Sequence, residues 1–281
     1  MKKKVTLAIS PCPNDTFAFY HFIKTLSIFY DVEVVYHDIE ELNRCYFEKK
    51  YDIIKASFAC AFSDEANYEL LSSGSAIGFG VGPVAITHKD FQPGKKNIRV
   101  LLPGEYTTAK ALWDFYQKKN QEFAEKSVTI EYLIFSRIME KIANSEADVG
   151  VIIHEGRFIY PEKGLKLLVD LGDFWERENN APVPLGGIFV GKWVDESLKI
   201  RISGLLKESV QYAIAHREAN DTEYNKKIIP FIKNYAQEQS DSVIENHIKY
   251  YVNKESIEFS ADGIQAIELF KRYIQGSKRA G

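Results

Sequence analysis

The sequence predicts an α/β protein made of two strand–helix units with a cleft between them. Three observations lead to this fold class: short apolar runs alternate with segments of helical periodicity, Pro- and Gly-rich stretches separate two such series, and polar loops follow several strands. The chain has 281 residues, of which 45% are apolar and 27% charged, so it can bury a substantial core.

The first unit begins with an apolar strand at residues 5–9 that stops at the breaker Ser-Pro-Cys-Pro-Asn-Asp. Asn14 or Asp15 is the expected N-cap of the helix that follows. The unit continues with the strand, helix and strand at residues 32–36, 40–49 and 52–54. Strands that alternate with helices in this way favour a parallel sheet.

The second unit repeats this order, and a helical tail follows it. Its expected elements are strands at residues 98–102, 128–133 and 148–153, with helices at residues 107–119 and 137–143. After a short strand at residues 188–190, apolar stripes at helical spacing predict that the rest of the chain is helical.

We expect a discontinuous first lobe and an inserted second lobe, linked by two crossings. The first lobe is assigned to residues 1–88 and 188–281 and the second to residues 97–180, with crossings near residues 88–97 and 179–187. Ligands bind outside the carboxyl ends of parallel strands. The candidate site loops are therefore the ones that follow Ile9, Ile54, Leu102 and Ile153.

Composition excludes several classes of partner and site. The formal charge of −3 creates no strong field, so neither nucleic acid nor an anionic membrane is an expected partner. Cys12, Cys45 and Cys60 form no CxxC pair, which favours a reducing compartment. The apolar run after the basic start is too short for a signal peptide. These features predict a cytoplasmic protein, and the sequence carries no signal for its oligomeric state.

Two loops offer groups that can bind an anion. In the first, Thr107, Thr108 and Ala109 lie between a strand and a helix, where hydroxyls and free N–H groups form a carboxylate cradle. Simple helix capping would explain the same residues. The second is residues 55–57, where Lys55 can bind a carboxylate while Ala56 and Ser57 let the backbone approach a ligand. An ordinary surface turn is the alternative there.

His154 follows an apolar strand and is the candidate acid–base residue. A histidine pKa near neutrality, roughly 6.5, suits proton transfer in a cleft. The alternative is a histidine that only hydrogen-bonds within its loop. Position 158 is Phe, so the zinc motif HExxH is absent, and the remaining histidines lack metal-ligand spacing. The Gly-rich segment 78–83 lacks the pattern GxGxxG and is assigned to close chain packing near a crossing.

Taken in order, these loops and several further segments resemble the 1,4-dihydroxy-6-naphthoate synthases of the futalosine route to menaquinone. The resemblance covers residues 5 to about 190, and the helical tail agrees with it. The motifs are Ser10-Pro11-Cys12-Pro13-Asn14-Asp15-Thr16-Phe17, Leu42-Asn43, Tyr51-Asp52-Ile53-Ile54-Lys55-Ala56-Ser57, Gly80-Val81-Gly82-Pro83, Pro103-Gly104-Glu105-Tyr106-Thr107-Thr108-Ala109, Ile152-Ile153-His154-Glu155-Gly156-Arg157-Phe158, Asp170-Leu171-Gly172 with Trp175-Glu176, and Pro184-Leu185-Gly186-Gly187-Ile188.

The resemblance implies a two-lobed fold similar to type 2 periplasmic binding proteins, used for catalysis. It implies that cyclic dehypoxanthinyl futalosine is converted to 1,4-dihydroxy-6-naphthoate and dihydroxyacetone without a metal or organic cofactor. By resemblance, His154 is the proton acceptor, and residues 55–57 and 107–109 are the substrate-binding segments.

Two other functions are compatible with the same fold. A chorismate dehydratase-like lyase would act on a smaller acid, and a solute-binding protein would bind without catalysis. The segments that contain His154 and residues 10–15 favour the naphthoate synthase, and the absence of an export signal or lipid-anchor cysteine disfavours the binding protein. Fold alone does not decide between them.

Overall fold

The computed structural model describes residues 2–237 and 240–278. The strands are β1 Lys4–Ile9, β2 Asp31–Tyr36, β3 Ile53–Ser57, β4 Tyr68–Leu70, β5 Ala76–Gly78, β6 Val84–His88, β7 Asn97–Leu102, β8 Ser127–Tyr132, β9 Val149–Ile152, β10 Leu165–Asp170 and β11 Val183–Gly191. The helices are α1 Pro13–Phe29, α2 Ile39–Phe47, α3 Phe58–Ser63, α4 Thr108–Lys119, α5 Gln121–Ala124, α6 Phe135–Ala143, α7 Gly156–Ile159, α8 Leu171–Asn179, α9 Glu196–Ala219, α10 Ile229–Lys233, α11 Asp241–Tyr251, α12 Lys254–Ile257 and α13 Ala261–Lys278. A 3₁₀ turn spans Tyr160–Lys163 and a π-helical turn spans Tyr224–Ile228.

The strands form two mixed sheets. In the first, the order is β2-β1-β3-β11-β4, with β5 also paired to β11. In the second, the order is β10-β6-β9-β7-β8. Each sheet contains three adjacent parallel strands, β2-β1-β3 and β8-β7-β9, and the remaining pairings are antiparallel. The predicted alternation of strands and helices is confirmed, and the parallel strands carry the loops predicted to form the site.

One predicted crossing is wrong. Strand β6 pairs with β9 and β10 in the second sheet, so residues 89–96 connect two strands of one sheet rather than two lobes. The chain passes from the first sheet to the second at residues 79–83 and returns at residues 180–182. A polar segment with Pro and Gly marks a loop but does not indicate which sheet the next strand joins. The exact lobe boundaries stay a prediction.

The segment that leads from the first sheet to the second is held by close packing of glycine. Such close chain packing was expected for residues 78–83. A Cβ atom on Gly82 would lie 2.3 Å from the Cα of Gly172, which is the second residue of α8. No real side chain tolerates such a contact with backbone, so only glycine permits the two segments to approach this closely.

The beginning of α1 also differs from the prediction. Cys12 is the N-cap, without a side-chain hydrogen bond, and Pro13 is the first helical residue, a position that suits proline. Asn14 and Asp15 therefore lie inside the first turn, where both are buried. Their side chains are free to serve the cavity described below instead of capping the helix.

The last helix, α13, packs against helices of both units. Phe270 and Tyr273 of α13 contact Trp175 of α8, with ring centroids 5.2 and 5.5 Å apart. The Tyr273 hydroxyl donates to the Ala111 carbonyl of α4 at 3.1 Å. On the other side, Lys271 pairs with Glu65, just after α3, at 2.7 Å. The predicted helical tail thus covers the junction between the two units.

We predict that Gly82→Ala lowers the free energy of unfolding by about 1–3 kcal/mol, because the added methyl group overpacks a contact between two backbone segments. Gly94→Ala is the control, since a Cβ there meets nothing within 4 Å. Chemical denaturation monitored by circular dichroism measures both variants. Equal stability of the two would contradict the close packing of residues 82 and 172.

Candidate active site

A cavity lies where the predicted loops converge. Its lining residues are Ser10, Asn14, Asp15, Ile39, Lys55, Ser57, Ala76, Val81, Pro83, Thr107, Thr108, Ala109, Ile153, His154, Leu185, Gly186 and Tyr251. Every sequence-predicted site residue except Ala56 is therefore brought to one cavity. Ala56 lies between Lys55 and Ser57 on β3, and its side chain is buried in the core because neighbouring residues of a strand face opposite ways.

Asp15 and Lys55 form an ion pair in the wall of the cavity. The Lys55 ammonium lies 2.5 Å from Asp15 Oδ1, and the two residues are 5% and 1% exposed, respectively. Asp15 also accepts hydrogen bonds from the Ser10 hydroxyl at 2.6 Å and the Asn14 amide at 2.8 Å. Burial of a carboxylate requires this degree of compensation. The ammonium has three N–H groups, so Lys55 can still donate to a ligand.

Ser57 is fixed by Asn43 of α2. The Asn43 amide donates to the Ser57 hydroxyl at 3.0 Å, and the Ser57 backbone N–H donates to the Asn43 carbonyl oxygen at 2.8 Å. Both residues are buried. The hydroxyl oxygen is used as an acceptor, which leaves its hydrogen to donate into the cavity.

The hydroxyls of Thr107 and Thr108 are occupied within the protein. Thr107 caps α4 by accepting from the Lys110 N–H, and it donates to the Gly104 carbonyl at 2.9 Å. Thr108 donates to the Leu185 carbonyl at 2.8 Å. The groups of this segment that remain for a ligand are the backbone N–H groups of the first turn, because a helix does not satisfy them internally. They suit an anion.

His154 stands two residues beyond β9 in a left-handed backbone conformation, with φ of 56°. Its Nδ1 atom lies 3.5 Å from the Cys12 sulfur, and the ring contacts Phe135 edge to face. Burial lowers the His154 pKa to about 4, although the charge of Asp15 opposes the shift. The imidazole is therefore neutral at pH 7, which a proton acceptor requires. The pKa lies well below the value of roughly 6.5 expected for an ordinary histidine.

Sequence reasoning missed two residues at this end of the cavity. His247 of α11 is fully buried and stacks on His154, with ring centroids 6.0 Å apart. Its Nε2 atom lies 2.9 Å from Asn14 Oδ1, and because the Asn14 amide nitrogen donates to Asp15, His247 is the donor in this contact. Burial lowers the His247 pKa well below 6.5. Tyr251 of the same helix lines the cavity. Both stand on a tail helix that carries no catalytic motif.

The described side chains and helices also bear on metals and membranes. Within residues 2–237 and 240–278, no group of three or more His, Cys, Asp or Glu side chains is arranged to hold a metal ion. In the same part of the chain, no helix is both long and apolar enough to cross a bilayer. The absence of a cofactor stays a prediction.

The chain is similar to proteins of one biosynthetic family and to solved structures of binding proteins. It is 36% identical over 262 residues to the 1,4-dihydroxy-6-naphtoate synthase of Thermus thermophilus, covering 93% of this chain and 90% of that protein. It is 29% identical to the enzyme of the same name from Streptomyces coelicolor, covering 93% of this chain and 89% of that one.

Among solved structures, a protein of Archaeoglobus fulgidus matches with a TM-score of 0.84 and 25% identity, over 98% of both chains. The periplasmic aliphatic sulphonate binding protein of Escherichia coli matches with a TM-score of 0.65 and 11% identity, over 96% of this chain and 87% of that one. These likenesses show the two-lobed fold of periplasmic binding proteins. The model of a family described as menaquinone biosynthesis matches residues 5–276, and the chain therefore belongs to this family.

Proposed function

We propose that this chain is a carbon–carbon lyase that converts cyclic dehypoxanthinyl futalosine to 1,4-dihydroxy-6-naphthoate and dihydroxyacetone. The family and the names of the two relatives support the reaction. The observation that carries the proposal is one cavity lined by both a neutral imidazole and an anion cradle. The sparse, unpaired cysteines, all buried, support the cytoplasm as its compartment.

The substrate carboxylate binds at the beginning of α4. The backbone N–H groups of Thr108 and Ala109 and the hydroxyl of Ser57 are its donors, and the partial positive charge at a helix N-terminus adds to them. Lys55 is already neutralised by Asp15, so its remaining N–H groups suit a carbonyl or hydroxyl oxygen of the substrate better than its carboxylate.

His154 takes the proton that starts the elimination. Because Nδ1 faces Cys12, Nε2 is the nitrogen left for the substrate. A base with so low a pKa is weak, so the reaction depends on donors that stabilise the oxygen on which charge develops. The move of the product ring towards aromaticity drives the step without a redox cofactor. A turnover assay with cyclic dehypoxanthinyl futalosine and with chorismate tests the activity directly, and turnover of chorismate alone would contradict it.

We predict that His154→Asn lowers kcat by about 10²–10⁴-fold while KM changes little, because a general base acts in the transition state rather than in binding. His88→Asn is the matched control, since His88 lies at the end of β6 and outside the cavity lining. Steady-state kinetics on folded protein measures both. Near-normal kcat in His154→Asn would place the base elsewhere.

We predict that kcat/KM of the wild-type protein stays level as the pH falls from 8 to about 6 and drops only as it approaches about 4. His154 accepts a proton only while neutral, and burial holds its folded-state pKa at about 4, so the active form persists to low pH. A fall in kcat/KM centred near pH 6.5, at pH values where circular dichroism shows the protein folded, would contradict a buried base with a low pKa.

We predict that Thr108→Pro raises KM about tenfold or more, whereas Thr108→Ala changes KM less. Proline removes the N–H group, and a hydrogen bond to a charged group contributes about 1.5–3 kcal/mol. The first helical position accepts proline, and the extended ψ of 152° at Thr107 suits the residue before it. Alanine loses the same hydroxyl but keeps the N–H. Equal KM values for the two variants would show that this N–H group does not bind substrate.

A further inference from the structure

The polar side chains of the cavity differ in whether their donors are already used. The hydroxyls of Ser10, Thr107 and Thr108 all donate to protein acceptors, and so does the Asn14 amide. Lys55 and Ser57 still have hydrogens to donate, but each already has a fixed partner in the protein, Asp15 and Asn43 respectively. Tyr251, which also lines the cavity, is the exception among these side chains, because its hydroxyl has no hydrogen-bond partner in the described parts of the chain, residues 2–237 and 240–278.

Tyr251 is nevertheless held firmly, and one intervening ring, that of His247, connects it to the proposed base. It is the last residue of α11, and the residue is only 7% exposed. Its ring packs on His247 with centroids 4.6 Å apart, and His247 stacks on His154. The residue is more than nine-tenths buried, but its hydroxyl is not one of the fully enclosed side-chain atoms without a partner, so the oxygen stays open to the cavity. A hydroxyl placed in this way can donate to a ligand without giving up a protein hydrogen bond.

The protonation state of Tyr251 suits a hydrogen-bond donor. Burial raises the Tyr251 pKa above its usual value, and the charge of Glu155 adds to the shift while Arg157 opposes it. The phenol therefore keeps its hydrogen throughout the physiological pH range. Tyr251 cannot act as a base there, which leaves donation as its chemical role.

We propose that Tyr251 is a further catalytic residue, whose hydroxyl donates a hydrogen bond to the substrate oxygen that gains negative charge as His154 removes the proton. This inference rests on the proposed function. The proton passes from carbon to His154, the C–H electron pair moves towards the adjacent carbonyl, and its oxygen gains the charge. Tyr251 keeps its own proton, and its hydrogen bond strengthens as that charge develops.

Tyr251→Phe tests the proposal, because it removes only the hydroxyl oxygen. We expect kcat to fall about 10²-fold, as for the loss of one oxyanion donor, while KM stays within a few-fold of wild type. The melting temperature should be unchanged or higher, since no protein hydrogen bond is lost. Tyr250→Phe is the matched control: the adjacent tyrosine is 44% exposed and packs on Phe158, so its variant should keep wild-type kinetics.

Other outcomes would overturn the proposal. Wild-type kcat in Tyr251→Phe, with or without a raised KM, would show that the hydroxyl does not act in the transition state. A lost kcat accompanied by a clearly lowered melting temperature would indicate a structural role. These results are separable from failure of the proposed function, which would appear as no turnover of cyclic dehypoxanthinyl futalosine by the wild-type protein.

Discussion

The site depends on the buried ion pair between Asp15 and Lys55. Each charge is tolerated only because the other is present, and removal of one would leave an uncompensated charge in the core. The pair joins the first turn of α1 to β3, and Asp15 also fixes the loop through Ser10. That loop carries Cys12, whose sulfur contacts His154 of the other unit. One electrostatic requirement thus positions the first loop, the third strand and, through Cys12, the proposed base.

Burial also shifts the pKa values of the two proposed catalytic groups, and it shifts them in opposite directions. It lowers the pKa of His154, so the imidazole is neutral, as the proposed base must be. It raises the pKa of Tyr251, so the phenol keeps its hydrogen, as the proposed donor must. Desolvation disfavours the charged form of either group. Lys55 is a positively charged hydrogen-bond donor in the cavity wall, and Asp15 balances its charge.

Much of this arrangement could be predicted from the sequence, and the failures have identifiable physical causes. Apolar periodicity located most strands and helices, and loops at the carboxyl ends of parallel strands located most of the cavity. Periodicity did not reveal β4 and β5, because three-residue strands are too short to show it. Tyr251 and His247 were missed because they reach this region from a tail helix, and the contacts of His247 with His154 and Asn14 join residues far apart in sequence. Local composition carries no signal of such contacts.

The helical tail also helps to maintain the buried environment of His154 in a fold of binding proteins. The low pKa of His154 depends on its burial, so entry of water into the cavity would return that pKa towards its ordinary value. The α13 helix contacts α4 and α8 through Tyr273 and Trp175 and is linked to the first unit through Lys271 and Glu65. Separation of the two units on this side would break the aromatic contacts and expose apolar surface, which is unfavourable. The contacts of the tail therefore favour the arrangement in which His154 is buried.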